Sequence, residues 1–75
     1  MNNVRRKRVY KAKVQLGMLI DVVNDILLEE EIAFDGLPEG FQNTPNGMDM
    51  QDNIDALDEC KKQLTAALKK LEDVI

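Results

Sequence analysis

The sequence predicts an all-α fold: an antiparallel two-helix hairpin that dimerises into a four-helix bundle. Two observations predict the hairpin. Apolar residues recur every three or four positions in two long segments, and both prolines and three of the four glycines lie between those segments. The dimer follows from a length of 75 residues with one cysteine and no histidine. Since neither a disulfide nor a Cys/His zinc site can stabilise so small a core, self-association remains as the stabiliser.

The first predicted helix covers residues 9–35 and follows a basic arm at residues 1–8. No proline interrupts it, and its apolar positions have the spacings of an amphipathic helix. These positions are Val9, Leu16, Leu19, Ile20, Val23, Ile26, Leu27 and Phe34.

Residues 36–47 are predicted to form the connection and residues 48–75 the second helix, with Asp49 as its N-cap. A short connection makes the helices antiparallel, so residues 1–75 form one domain with both termini at one end. Leu37 and Phe41 are expected to fold over the loop end; the alternative is an exposed anchor for a partner. The apolar heptad positions of the second helix are Met50, Ile54, Leu57, Leu64, Leu68, Leu71 and Ile75.

The two helices differ in the width of their apolar faces. At about 100° per residue, the first helix is apolar over roughly 160° and the second over about 100°. A single partner helix is too narrow to cover the whole apolar face of the first helix. The uncovered part of that face predicts a two-fold dimer. The alternative is that the flanking residues are the ordinary apolar fraction of a surface. The predicted dimer or partner interface comprises Leu16, Leu19, Ile20, Val22, Val23, Ile26, Leu27, Cys60 and Ala67.

Two charged residues, Glu30 and Lys61, fall at seam positions. In the folded hairpin, Lys61 is expected near Asp21 to Asp25 and Glu30 near Asp55. Polar groups at such positions can set the register of paired helices. The alternative is that both side chains extend out of the flank into solvent.

The charges are strongly segregated along the chain. Residues 1–20 carry six basic and no acidic residues, whereas residues 21–60 carry twelve acidic and no basic residues. The charges of the basic arm are suited to binding phosphates or an acidic protein surface. No aromatic residues are interleaved with them, so the pattern supports nucleic-acid binding only weakly. The alternative is that the arm balances the negative charge of the nearby acidic C-terminus. The acidic surface suits a basic partner, or is only a solvated face. The basic arm comprises Arg5, Arg6, Lys7 and Arg8, and the acidic surface comprises Glu29, Glu31, Asp55, Asp58 and Glu59.

The residue composition argues against several classes of function. The chain has no histidine, no serine and no glycine-rich phosphate loop, so we expect no enzyme and no cofactor. The acids lack the spacing of a calcium loop, so no metal is expected. No apolar run has the length of a membrane span or signal sequence, which predicts a cytoplasmic protein without a membrane partner.

Three neighbouring stretches of the chain resemble known proteins. They are Leu28 to Glu31, the turn Asp35-Gly36-Leu37-Pro38-Glu39-Gly40-Phe41-Gln42, and Met50 to Glu59. Together they resemble a set of short, mostly uncharacterised proteins from Gram-positive bacteria, their phages and mobile elements. In that family a helix ending in glutamates enters a similar turn and then a second helix. The resemblance covers about half of the 75 residues. It implies the hairpin and a mobile-element origin, but no activity.

The leading hypothesis is therefore a non-enzymatic protein-protein interaction module, a homodimeric helical hairpin that binds a protein partner. A second hypothesis is a phage-derived anti-defence inhibitor whose acidic section mimics nucleic acid. A third is a nucleic-acid-binding accessory protein that uses the basic arm.

Overall fold

The computed structural model describes residues 1–74 and confirms the all-helical hairpin. Helix α1 spans Asn3–Asp35, a single 3-10 turn spans Phe41–Asn43, and helix α2 spans Pro45–Glu72. The two helices pack against each other along their length, and the Cα atoms extend over 58 × 14 × 12 Å. The hairpin is therefore a thin rod. We call the end that holds the chain termini the open end and the end that holds the connection the loop end.

Helix α1 begins at Asn3, before the predicted start at Val9, so the basic arm is the first part of a helix. The Asn2 side chain accepts a hydrogen bond from the Arg5 backbone N–H at 2.9 Å and caps the helix. Arginine and lysine are good helix formers. The cap and this propensity outweigh the unfavourable positive charge at a helix N-terminus.

Helix α2 also begins earlier than predicted, and Thr44 replaces Asp49 as its N-cap. The Thr44 Oγ1 accepts a hydrogen bond from the Gly47 backbone N–H at 3.2 Å. Pro45 occupies the first turn, where its missing N–H leaves no bond unmade. The helix ends at Glu72 rather than at residue 75, and the predicted heptad position Ile75 lies outside the described residues.

The connection is shaped by a left-handed glycine, a side-chain hydrogen bond and one close backbone approach. Gly40 has a φ of 88°, the left-handed region that favours glycine. Gln42 donates a side-chain hydrogen bond to the Phe34 carbonyl at 3.2 Å. At Gly47, a Cβ atom would lie 2.5 Å from the carbonyl oxygens of both Phe41 and Gln42. This close approach sets where α2 leaves the loop.

The core lies along the seam between the helices. Leu27, 4% exposed, and Ile54, 9% exposed, are the buried hydrophobic side chains of residues 1–74. The other seam residues are half-buried, because two helices cover each side chain from one direction only. They include Leu16, Ile20, Val23 and Phe34 of α1 and Met50, Leu57, Leu64, Leu68 and Leu71 of α2.

One polar contact crosses the seam. The Lys61 ammonium donates a hydrogen bond to the Asn24 side-chain oxygen at 2.7 Å. This contact confirms the predicted position of Lys61 beside residues 21–25, although its partner is an amide rather than a carboxylate. Since the helices are antiparallel, the contact fixes their register.

Candidate interaction surface

The predicted interface residues of α1 divide into two groups. Leu27 is buried, and three more are half-buried along the seam, so these four pack mainly within the hairpin. Leu19, Val22 and Ile26 instead remain 48%, 52% and 44% exposed. The prediction had placed both groups in one interface, and the outward group is the part left for a partner. The seam group comprises Leu16, Ile20, Val23 and Leu27.

Leu19, Val22 and Ile26 lie on one side of α1, because their spacings are three and four residues. Ile26 lines a shallow groove between the helices, together with Glu30 from α1 and residues of α2. This loop-end groove places one flank of α2 beside the exposed side of α1. The α2 residues that line it are Asn53, Ala56 and Leu57.

A second shallow groove lies at the open end. Arg8 and Ala12 line it, and their offsets from Leu19 are eleven and seven residues, so they occupy the same side of α1 as Leu19 and Ile26. The two grooves therefore lie on one face of the hairpin, with Leu19 and Val22 between them. We call this the groove face. The open-end groove is lined by Met1, Arg5, Arg8, Val9, Ala12 and Leu71.

The α2 side of the groove face carries small residues. Ala56, Cys60 and Ala67 follow one another at four and seven positions, so they share a side of α2. Cys60 is a half-buried free thiol and Ala67 is exposed. Small side chains allow another helix to approach closely, as the sequence predicted for Cys60 and Ala67.

The first turns of α1 project beyond the helical part of α2. Because Lys61 contacts Asn24, the last helical residue of α2, Glu72, lies at about the height of Lys13 on α1. Residues 3–8 are all exposed. We call residues 3–8 the overhang.

The four cations of the predicted basic arm all lie in the overhang but point to different sides of α1. Arg5 and Arg8 line the open-end groove, whereas Arg6 and Lys7 point to other sides of the helix. Of these four cations, Arg5 and Arg8 therefore contribute positive charge to the groove face. At the opposite end of the same face, Glu30 is a half-buried carboxylate that lines the loop-end groove. It shares that groove with Asn53 and Ala56, close in sequence to its predicted neighbour Asp55.

Three of the predicted acidic-surface residues have partners within α2. Asp58 forms an ion pair with Lys62 at 3.0 Å, and the hydrogen bond and charge of Asp58 raise the pKa of Lys62. Asp55 and Glu59 each accept a hydrogen bond from a glutamine one turn away. These contacts partly satisfy the carboxylates that a basic partner would have to bind. The predicted residues Glu29, Asp55 and Glu59 are exposed, and Glu31 and Asp58 are half-buried.

Within residues 1–74, no group of three or more His, Cys, Asp or Glu side chains is arranged to hold a metal ion. No helix of the same residues combines the length and apolar character needed to cross a membrane.

Comparison of the chain with protein-family models, with curated proteins and with solved structures gives no match. The family resemblance of the turn at residues 35–42 therefore stays a prediction. The arrangement of the groove face carries the functional argument.

Proposed function

We propose that this chain is a non-enzymatic protein-protein interaction module that forms a homodimer through the groove face. The observation that carries the proposal is the exposure of Leu19, Val22 and Ile26, which lie together on the face that holds both grooves. Two hairpins that stack on this face form a four-helix bundle, in which each α1 gains a second neighbouring helix.

The energetics favour such an assembly. Leu19, Val22 and Ile26 are each about half-exposed, so burying the remainder contributes roughly 1 kcal/mol per side chain. A two-fold dimer buries each of them twice, and the small residues Ala56, Cys60 and Ala67 add contact on α2. These contributions must offset the loss of translational and rotational freedom, which is at least about 4 kcal/mol.

The size of the face is also adequate. A rod with Cα dimensions of 58 × 14 × 12 Å offers a side on the order of 800 Å², the area that each partner contributes to a standard protein interface. The hairpin is thus large enough for a specific dimer if most of the rod is covered.

A different protein would then bind outside the groove face. The loop end offers a suitable surface, because Phe41 and Met48 are 56% and 59% exposed there. Leu37 and Phe41 were both expected to fold over the loop end, but only Leu37 is half-buried and the expectation is wrong for Phe41. Exposed aromatic and methionine side chains are common anchors at protein interfaces.

Ile26→Glu is expected to convert the dimer to a monomer, because it places a carboxylate in the centre of an apolar contact twice per dimer. The matched control is Ile32→Glu, the same substitution in the same helix at a position that is 71% exposed and lies off the groove face. Sedimentation equilibrium gives the mass of each variant, and circular dichroism confirms that each remains helical.

The expected result is a monomer for Ile26→Glu and an unchanged dimer for Ile32→Glu. If both variants keep the mass of the unchanged chain, the groove face is not the interface. If Ile32→Glu alone dissociates the assembly, a different side of α1 forms it.

A further inference from the structure

We infer that the two copies pair antiparallel, with the open end of one against the loop end of the other, so that Arg8 of each chain lies beside Glu30 of its partner. This inference rests on the proposed self-association through the groove face. It assigns to Arg8 and Glu30 a role in choosing the orientation of the dimer.

The first argument is the positional symmetry of α1. The helix runs from residue 3 to residue 35, so Leu19 is its midpoint. On the groove face, Arg8 lies eleven residues before Leu19 and Glu30 eleven residues after it. Ala12 and Ile26 lie seven residues before and after. A two-fold axis beside Leu19 therefore places Arg8 of one chain against Glu30 of the other, and the small Ala12 of one chain against the large Ile26 of the other.

The second argument is the charge distribution. Residues 1–20 carry only positive charges and residues 21–60 only negative charges among their ionisable side chains of Asp, Glu, Lys and Arg. A parallel dimer would place like charges together at both ends. An antiparallel dimer places the basic overhang of each copy against the acidic loop end of the other, which is the electrostatically complementary arrangement.

The third argument is the overhang itself. Residues 3–8 are exposed and lie beyond the last helical residue of α2, although the Leu71 side chain of α2 reaches the groove that Arg5 and Arg8 line. In the antiparallel dimer, residues 30–35 of the partner reach this height and cover the open-end groove. Arg5 and Arg8 line that groove, and Glu30 lines the groove at the other end. The pairing therefore brings oppositely charged grooves into contact.

A charge exchange tests the pairing directly. Arg8→Glu alone and Glu30→Arg alone are each expected to weaken the dimer by about tenfold or more, because each creates two like-charge contacts per dimer. The double variant Arg8→Glu/Glu30→Arg restores the opposite charges and is expected to recover affinity to within about threefold of the unchanged chain. Sedimentation equilibrium provides the dissociation constants.

Matched controls separate this effect from a general change of charge. Lys69→Glu and Asp25→Arg alter the charge in the same directions but lie at exposed positions away from the groove face and outside the overhang. Each is expected to leave the dissociation constant within about threefold of the original value, as surface charges outside a contact usually do. Raising the salt concentration should weaken the unchanged dimer, because its exposed charge pairs are screened.

A cross-linking experiment gives an independent readout. Chains carrying Arg8→Cys and chains carrying Glu30→Cys, each with Cys60→Ser, are mixed and oxidised. Antiparallel pairing predicts a mixed disulfide between the two kinds of chain. A dimer that gives only Arg8→Cys homodisulfides, or whose affinity the double charge exchange does not restore, overturns the orientation while leaving self-association intact. A chain that is monomeric at every concentration overturns the proposed function as well.

Discussion

Leu27→Ala is expected to lower the free energy of unfolding by roughly 2–5 kcal/mol, the range for truncating a fully buried leucine. Leu27 is 4% exposed and lies where α1 meets α2, and Ile54 is the other buried hydrophobic side chain of residues 1–74. A hairpin with so few buried side chains depends strongly on each of them. Chemical denaturation followed by circular dichroism measures the change, at a fixed protein concentration because the proposed dimerisation would also stabilise the fold.

The control for this prediction is the adjacent Leu28, which is 48% exposed. Leu28→Ala is the same truncation and is expected to cost less than about 1 kcal/mol, because the side chain loses little burial. Equal losses at the two positions would mean that Leu27 does not form the centre of the core.

Gly47→Ala is expected to destabilise the protein by up to about 2 kcal/mol. Inserting a methyl group into a closely packed position usually costs about 1–3 kcal/mol, and the helix propensity of alanine offsets up to about 1 kcal/mol of that cost. The added Cβ would lie 2.5 Å from the carbonyl oxygens of Phe41 and Gln42. These are backbone atoms, so relief requires a shift of the whole connection.

Gly17→Ala is the matched control and is expected to change the stability in the opposite direction. Gly17 lies inside α1, and a Cβ added there meets nothing within 4 Å. The substitution is therefore expected to raise the free energy of unfolding by up to about 1 kcal/mol through helix propensity. If thermal melts show that Gly47→Ala is stabilising as well, α2 does not approach the connection as closely as described.

The seam of the hairpin could be predicted from the sequence because it depends on periodicity. Most of the predicted apolar positions from Leu16 to Phe34 and from Met50 to Leu71 are half-buried or buried, whereas Leu19 and Ile26 are exposed. Lys61 lies beside residues 21–25 as expected. These features follow from 3.6 residues per turn and a short connection.

The helix starts were wrong for a local reason. The prediction began the first helix at Val9, after a basic arm, and gave the second helix Asp49 as its N-cap. In the structure, side-chain caps decide both starts: Asn2 accepts from the Arg5 backbone N–H, and Thr44 accepts from the Gly47 backbone N–H. The Thr44-Pro45 pair is a start signal that the sequence contained.

The groove face was only partly predictable. A wide apolar stripe on α1 indicates surplus surface, but it does not indicate which edge α2 covers, so Leu27 and Ile26 were assigned to one interface. The proposed pairing of Arg8 with Glu30 was not predicted either, because Arg8 was assigned to the basic arm and Glu30 was expected near Asp55. Their offsets of eleven residues from Leu19 were a usable signal once the midpoint of α1 was known.

The most direct test of the proposed dimer is sedimentation equilibrium of the unchanged chain over a series of concentrations. The groove face predicts a species of twice the chain mass of 8.5 kDa, which dissociates on dilution and more readily at high salt. A mass of 8.5 kDa at every concentration would contradict it, and Leu19, Val22 and Ile26 would then be an exposed surface without a second copy to cover it.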